Sequence, residues 1–407
     1  MCSTRFAPDH VVPDDYLYRM SQHIPTALDA VTADWLTRTL RTTGVIGADT
    51  TITATSQMLL GVGEGFMGEI ARVSLSHDGS EPLNSLIAKI PTTVPENRGA
   101  GQMLGVYERE VRAYVELLPN VDVPVPMAYA ALLSDGATGA VDLARMVKAD
   151  RLPIWLLRIL VRREQKTAEV PPAILLLEDL HDAVPGDQVA GCGSERAAAV
   201  LRVAARFHGS TWGRRAPGRQ HWLTGGDIVP RLFHAAHLNS RKGFRVHAQT
   251  RMSPHSLGVL HSITRSGRAR ITDLHERAPR CVVHGDLRLD NLFFDSETDV
   301  RAVIDWQIPN LGPAVLDIGY FLVSSLDAGV SEPEVDDLLG VYHDELVSSG
   351  VTDYSFAQLQ ADYTEGLLLL LHRATSFDSM DFGEERGRAL LDTWVDRFDA
   401  RLARVPA

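Results

Sequence analysis

The sequence predicts an α+β chain of two lobes, an antiparallel-sheet N-terminal lobe over residues 1–180 and a mainly helical C-terminal lobe over residues 181–407. Three observations carry this expectation. Strand-like apolar or alternating runs cluster early, at 51–60, 69–75, 85–90 and 172–180. Helical patterns dominate afterwards, at 195–212, through much of 229–278 and from the region after 305 to the end. Two short strands in the second half, 281–283 and 300–304, each run directly into an aspartate-bearing segment.

The first element is an amphipathic helix over 27–43, with Leu28, Val31, Trp35, Leu36 and Leu40 at helical spacing and Thr32 as a cap. Strand 51–60 leads through the glycine-rich turn Gly61–Gly68 into strand 69–75. Strand 85–90 carries Lys89 and is stopped by Pro91. A helix over 107–118 presents Val111, Tyr114, Val115 and Leu118 on one face. Strand 172–180 ends in Glu178-Asp179-Leu180. No internal repeat or low-complexity tract interrupts the chain.

Bulk composition narrows the classes of function. Fifty-two Asp and Glu against 40 Lys and Arg leave a net charge of −12. That balance argues against broad attraction to nucleic acid or an anionic membrane, while leaving room for a local phosphate site. Three widely spaced cysteines form neither a zinc pattern nor a disulfide framework. The first residues lack the apolar run of a signal peptide, and Leu367–Leu371 is far too short to span a bilayer. The expectation is a cytoplasmic protein.

The strongest signal is His284-Gly285-Asp286-Leu287-Arg288-Leu289-Asp290-Asn291, followed by Asp305 at a strand end. Phosphoryl transfer needs a carboxylate to orient and deprotonate the attacking hydroxyl, and oxygen ligands to hold Mg²⁺ across the phosphates. Asp286 suits the first task; Asn291 and Asp305 suit the second. Each piece alone reads as a capped turn, whereas both together, each directly after an apolar strand, point to a catalytic loop. His284 is expected to hydrogen-bond within the loop rather than act as base.

His284-Gly285-Asp286 with Asn291, then Ile304-Asp305-Trp306-Gln307, resembles the signature of the aminoglycoside phosphotransferase and choline kinase superfamily. The Leu-Leu-Glu-Asp-Leu segment and Gln307 lean towards its ecdysteroid-kinase-like branch and bacterial relatives. The resemblance spans roughly residues 30 to 400 and implies a protein-kinase-like two-lobed fold. It also implies a small-molecule kinase that uses ATP or GTP and Mg²⁺ to phosphorylate a hydroxyl of a small acceptor. Lys89 would then meet the nucleotide phosphates and a helix glutamate, Glu110 in preference to Glu108. Gly63 and Gly65 would approach the phosphates, and Glu178 and Leu180 would lie at the adenine edge. His208 and Asp317 would support the catalytic loop. An arginine at 288 departs from many relatives; it either steadies the transferring phosphate or pairs with Asp290.

The acceptor is less legible. From Ala302 to His372 there are twelve Asp or Glu and no Lys or Arg. This is either a wall for a cationic acceptor, as for an aminoglycoside or choline, or a solvated acidic face. Trp212, Trp222, Phe233 and Phe244 either line a pocket for a sterol or polyketide alcohol or belong to the core. Residues 145–166 hold seven Lys or Arg and look like an insertion in the N-terminal lobe, as a lid, a partner surface or an extra helix. The alternative function is a catalytically silent nucleotide-binding regulator on the same fold; the intact Asp286, Asn291, Asp305 and Lys89 favour the enzyme. A protein kinase is disfavoured, since Asp305 is followed by Trp306-Gln307 and no Ala-Pro-Glu segment is present.

Overall fold

The computed structural model describes residues 24–61, 68–80, 82–94, 98, 101, 105–134, 143–164, 170–214, 222–223, 230–375 and 386–406. Helix α1 (Ala33–Thr42) starts where Thr32 accepts a hydrogen bond from the Trp35 backbone N–H at 3.3 Å. Strands β1 (Ile52–Leu60), β2 (Gly68–His77), β3 (Ser85–Pro91), β4 (Ala128–Leu133) and β5 (Ala173–Glu178) form one antiparallel sheet in the order β1-β2-β3-β5-β4. In the central β3, Lys89 lies opposite Ile70 of β2 and Leu175 of β5.

The two-residue period of β3 divides its side chains between the sheet faces. Leu86, Ala88 and Ile90 join Leu36 and Leu40 of α1 in one core. Lys89 therefore points to the opposite face, where α2 (Val106–Arg112) packs on β5. Helix α2 continues into a wider turn, Ala113–Leu117, and a tight one, Leu118–Asn120. Of the five strands in this sheet, β4 is the one that the sequence pattern does not announce. Its Ala-Tyr-Ala-Ala-Leu-Leu run lacks alternation and is rich in a good helix former.

Helices α3 (Leu143–Asp150) and α4 (Ile154–Glu164) follow β4 in the chain, yet they pack on α6 (Pro230–Ala248) rather than on the sheet. Asp150 accepts from the Leu232 N–H at 2.7 Å, Arg231 donates to the Leu152 carbonyl at 3.0 Å, and Arg158 donates to the Asn239 side chain at 2.8 Å. The basic stretch thus belongs with the helices, contrary to its expected place in the sheet lobe.

The remaining helices are α5 (Ser194–Ser210), α7 (Pro254–Arg277), α8 (Val315–Ser324), α9 (Glu332–Ser348), α10 (Phe356–Ala374) and α11 (Arg386–Leu402). Between α7 and α8 lie β7 (Arg280–Val283), β8 (Leu292–Ser296), β9 (Asp299–Val303) and β10 (Asn310–Pro313). Strand β7 pairs with β10, and β8 pairs with both β9 and the short β6 (Val184–Pro185). One continuous core joins α5, α8, α9, α10 and α11. No helix among the described residues is long and apolar enough to cross a membrane.

A stack of imidazoles ties α6 to α10. The rings of His237 and His372 lie 4.1 Å apart, and His234 donates or accepts at 3.1 Å from His372. Burial drives their proton affinity down, helped by their mutual proximity: His237 to about 4 and His372 to about 2. Both imidazoles stay uncharged in the native state at pH values where the unfolded chain already binds protons. The stability they contribute is complete above about pH 6.5 and falls as pH drops towards 4. The thermal midpoint of the protein should decline over that window, and His372→Gln should flatten the decline; circular dichroism melts between pH 7 and 4 read both.

Candidate active site

The loop after β7 is held by one buried carboxylate. Asp317, in the first turn of α8, accepts from the backbone N–H groups of His284 at 2.6 Å and Gly285 at 2.8 Å. His208 of α5 contacts it at 3.2 Å and is itself bonded to the Tyr342 hydroxyl at 3.0 Å. Burial opposes ionisation of Asp317, but the His208 hydrogen bond, the nearby imidazoles and the Gly285 N–H outweigh it and hold the pKa below the usual aspartate value. Gly285 sits at φ 85°, and a Cβ there would lie 2.5 Å from the Ile308 carbonyl oxygen, so this position requires glycine. The His284 ring donates from Nε2 to the Ile304 carbonyl at 2.9 Å and accepts at Nδ1 from the Asp286 N–H at 3.2 Å. Its role is to join the two loops.

Asp286 stands at the end of this scaffold. Its Oδ2 accepts from Arg288 Nε at 3.1 Å and from Asn291 Nδ2 at 3.0 Å. The Tyr320 hydroxyl of α8 also bonds the carboxylate, and Arg373 of α10 donates to the Gly285 carbonyl at 2.9 Å. Burial alone would raise the Asp286 pKa; Arg288, Arg373 and His284 together lower it. The carboxylate is therefore ionised at neutral pH. With its amide nitrogen turned to Asp286, Asn291 presents its amide oxygen the other way.

Asp305 follows β9 in a left-handed backbone conformation, φ 66°, the one non-glycine residue with positive φ among the described residues. Such a conformation is costly for an ordinary side chain and marks a position held by its surroundings. The Lys89 ammonium holds it, at 2.6 Å from Asp305 and 2.7 Å from Glu110 of α2. Burial would lower the Lys89 pKa, but the two carboxylates outweigh it and raise it. Glu110 is raised instead, burial outweighing the pull of Lys89. Glu108 turns away to Arg112 at 2.7 Å.

Lys89, Glu110, Asp286, Asn291 and Asp305 thus converge on one place, brought there from four separate segments. The chain matches the family model described as "Ecdysteroid kinase-like family" over residues 62–217 and 249–351. It belongs to the ecdysteroid kinase-like family. No curated protein matches the chain. Solved structures similar to it include a choline kinase from Cryptosporidium parvum Iowa II, 10% identical with a TM-score of 0.49, covering 91% of this chain and 94% of that one. Another is the aminoglycoside phosphotransferase APH(2'')-Ib bound to ADP, 11% identical with a TM-score of 0.43, covering 86% of this chain and 94% of that one. A third is a macrolide 2'-phosphotransferase type I, 14% identical with a TM-score of 0.38, covering 95% of this chain and 100% of that one.

The other positions singled out in this ecdysteroid kinase-like chain lie as follows. Glu178 ends β5 and accepts from the Met127 N–H at 3.1 Å; Leu180 packs with Ala183 and Ala302 in a small apolar cluster next to Phe293 and Ile304. Gly63 and Gly65 lie outside the described residues. Arg288 pairs with Asp290 at 3.2 Å, the second of its two expected roles, and it also reaches Asp286 and Gln188. Among the described residues, five of the twelve carboxylates in the acidic stretch meet arginines from other segments: Glu332 and Asp336 meet Arg404, Glu345 meets Arg206, Asp362 meets Arg277 and Glu365 meets Arg270. Trp222 and Phe244 are core residues, and Phe233 is exposed.

Tyr320, Arg373 and Gln188 escape sequence reasoning. Each reads as an ordinary residue in its own segment, and only Tyr320, three places after Asp317, lies near a recognised motif. Among the described residues no group of three or more His, Cys, Asp or Glu side chains is arranged to hold a metal. Removing Lys89 strands buried Glu110 without its counter-charge. Lys89→Met should destabilise the protein by about 3–5 kcal/mol, and Lys89→Met with Glu110→Leu should recover much of that loss; urea unfolding of the variants measures both.

Proposed function

We propose that this chain transfers the γ-phosphate of ATP or GTP to a hydroxyl of a small-molecule acceptor, with Asp286 as base and Asn291 and Asp305 as Mg²⁺ ligands. The observation that carries the reading is the meeting of Lys89, Glu110 and Asp305 beside the Asp286–Asn291 loop. Residues 1–180 act as the nucleotide-binding lobe and 181–407 as the lobe bearing the catalytic loop and acceptor site. The helices within 143–164 are the exception, packing with the second lobe although they lie in the first by sequence.

The donor chemistry fits the metal. Mg²⁺ takes hard oxygen ligands and few of them from protein; the Asn291 amide oxygen and the Asp305 carboxylate are such a pair. When bound, Mg²⁺ neutralises phosphate charge. The protein's own residues orient the reactants. Ionised Asp286 accepts a hydrogen bond from the acceptor hydroxyl and takes its proton as the oxygen bonds to the γ-phosphorus, while the bond from that phosphorus to the β–γ bridging oxygen breaks and the nucleoside diphosphate leaves. A lowered pKa suits this task, because phosphoryl transfer asks the base mainly to orient the nucleophile. Lys89, freed from Asp305, is in place to pair with nucleotide phosphates while Glu110 keeps it oriented. The backbone from Glu178 to Leu180 sits at the end of the sheet, where it meets the adenine edge, with the Leu180 cluster as an apolar floor.

Aminoglycoside-, choline- and sterol- or polyketide-alcohol-like acceptors all carry suitable hydroxyls. The family description favours a sterol-like alcohol, and the arginine-neutralised carboxylates weaken the case for a cationic one. A thermal-shift and phosphate-transfer screen of these classes, with ATP or GTP and Mg²⁺, identifies the acceptor. Asp286→Asn should then lower kcat by about 10²- to 10⁴-fold while the nucleotide-induced thermal shift persists. Turnover unchanged in Asp286→Asn overturns the mechanism.

A further inference from the structure

The overall charge of −12 conceals a strongly cationic flank. Residues 143–164, which form α3 and α4, hold six Lys or Arg and two Asp or Glu; α6, residues 230–248, holds four and none. The contacts described above run in the same order along both segments: Asp150 and Leu152 meet the first turn of α6, and Arg158 meets its middle. The two basic segments therefore lie side by side and pool their charge. Lys148, Arg151, Lys242 and Arg245 are exposed, and none forms an ion pair among the described residues. By contrast, ten other arginines of the helical lobe meet a carboxylate among these residues.

The outer face of α4 is apolar where a solvated helix would be polar. Trp155 is 64% exposed and Ile159, one turn on, is 42% exposed. Both lie on one side of the helix, since positions four apart are neighbours on its surface. The inner side is satisfied: Leu157 is fully buried and Arg158 is tied to α6. On α6, Val246 is 68% exposed beside Lys242 and Arg245. An outward tryptophan and isoleucine flanked by unpaired cations is the composition of an interfacial helix. Tryptophan in particular favours the headgroup level of a bilayer.

We propose that α4, with the adjoining cationic side of α6, docks the protein on an anionic lipid surface. Trp155 and Ile159 enter the headgroup–acyl boundary, while Lys148, Arg151, Lys242 and Arg245 meet the lipid phosphates and carboxylates. The docking face connects to the reacting centre through packed helices: α4 on α6, His234 of α6 on His372 of α10, and the next residue, Arg373, on the Gly285 carbonyl. An acceptor alcohol that partitions into membranes would thus be met by an enzyme already on its surface. The docking itself rests on charge and exposure and stands apart from the phosphotransfer reading.

The test is co-sedimentation of the full chain with vesicles of phosphatidylcholine alone and of phosphatidylcholine with 30% phosphatidylserine, at about 0.05 and 0.5 M salt. Binding is expected to the anionic vesicles only, and to weaken at high salt. Trp155→Ala with Ile159→Ser should lower the partition coefficient by roughly ten-fold. Lys242→Ala and Arg245→Ala should lower it by about five-fold each. Melting temperatures within a few degrees of the parent show that each variant is folded. Absence of binding to anionic vesicles, or binding unchanged in the folded Trp155/Ile159 variant, overturns the proposal. So does a dimer in light scattering that the same double substitution disrupts, because the face would then be an interface between copies.

Discussion

The contact on which the site depends is the Lys89 ammonium between Glu110 and Asp305. It is the one place where β3, α2 and the segment after β9 are joined by charge. A lysine on a central strand, facing a helix that covers the sheet, keeps little contact with water and is costly unless paired. The pairing in turn decides where α2 sits against the sheet and which way Asp305 points. Asp305 holds its left-handed backbone with its side chain paired to that ammonium and its neighbour Trp306 locked in the core. The Trp306 indole, fully buried, donates to the Val303 carbonyl at 3.0 Å and meets the rings of Phe207 and His284 edge-on.

Around this charge bridge the helical lobe builds a second restraint of a different kind. Asp317 receives two backbone N–H groups and an imidazole, a set that satisfies a buried carboxylate. His284 then links the two loops through its two ring nitrogens. The result is a layered arrangement: Tyr342, His208, Asp317, the 284–285 backbone and finally Asp286. Each layer is hydrogen-bonded to the next, so the rotamer of Asp286 is decided far from any reactant. Tyr320 and Arg373 close the arrangement from α8 and α10, and the Arg373 guanidinium lies 5.4 Å from the Tyr320 ring centre.

Much of this was legible in the sequence because the chemistry is concentrated in short spans. His284 to Asn291 and Asp305 follow strands whose apolar runs are unambiguous, and a lysine inside a strand is conspicuous. Helical geometry lets only one of Glu108 and Glu110 face Lys89, and the choice of Glu110 comes from the resemblance, whose pattern sets a glutamate directly before Val111 and Tyr114. What escaped is what depends on tertiary placement. Strand β4 is coded by alanines and leucines that fit a helix equally well. Tyr320 and Arg373 lie in apolar helices where nothing local separates a positioning residue from a core residue. The basic 143–164 segment follows a sheet strand in the chain, and only its contacts with α6 assign it to the helices. The acidic count between 302 and 372 misleads for the same reason: the neutralising arginines at 206, 270, 277 and 404 are outside the window.

The bridge also implies an order of events at the site. Lys89 serves Asp305 and Glu110 at once, and an ammonium has only three donors. If Asp305 is to ligate a metal ion, its hold on Lys89 must weaken, and the ammonium must then find another anion close by. In the proposed reaction, nucleotide phosphates are the anions that would arrive with the metal. Exchange of Lys89 from a carboxylate to a phosphate leaves the count of buried charges balanced throughout, whereas arrival of either reactant alone would leave one charge without a partner. Metal and nucleotide should therefore bind with positive coupling, each raising the affinity for the other by the same factor. Glu110, which touches neither reactant in this scheme, keeps the ammonium in position while its other partner changes.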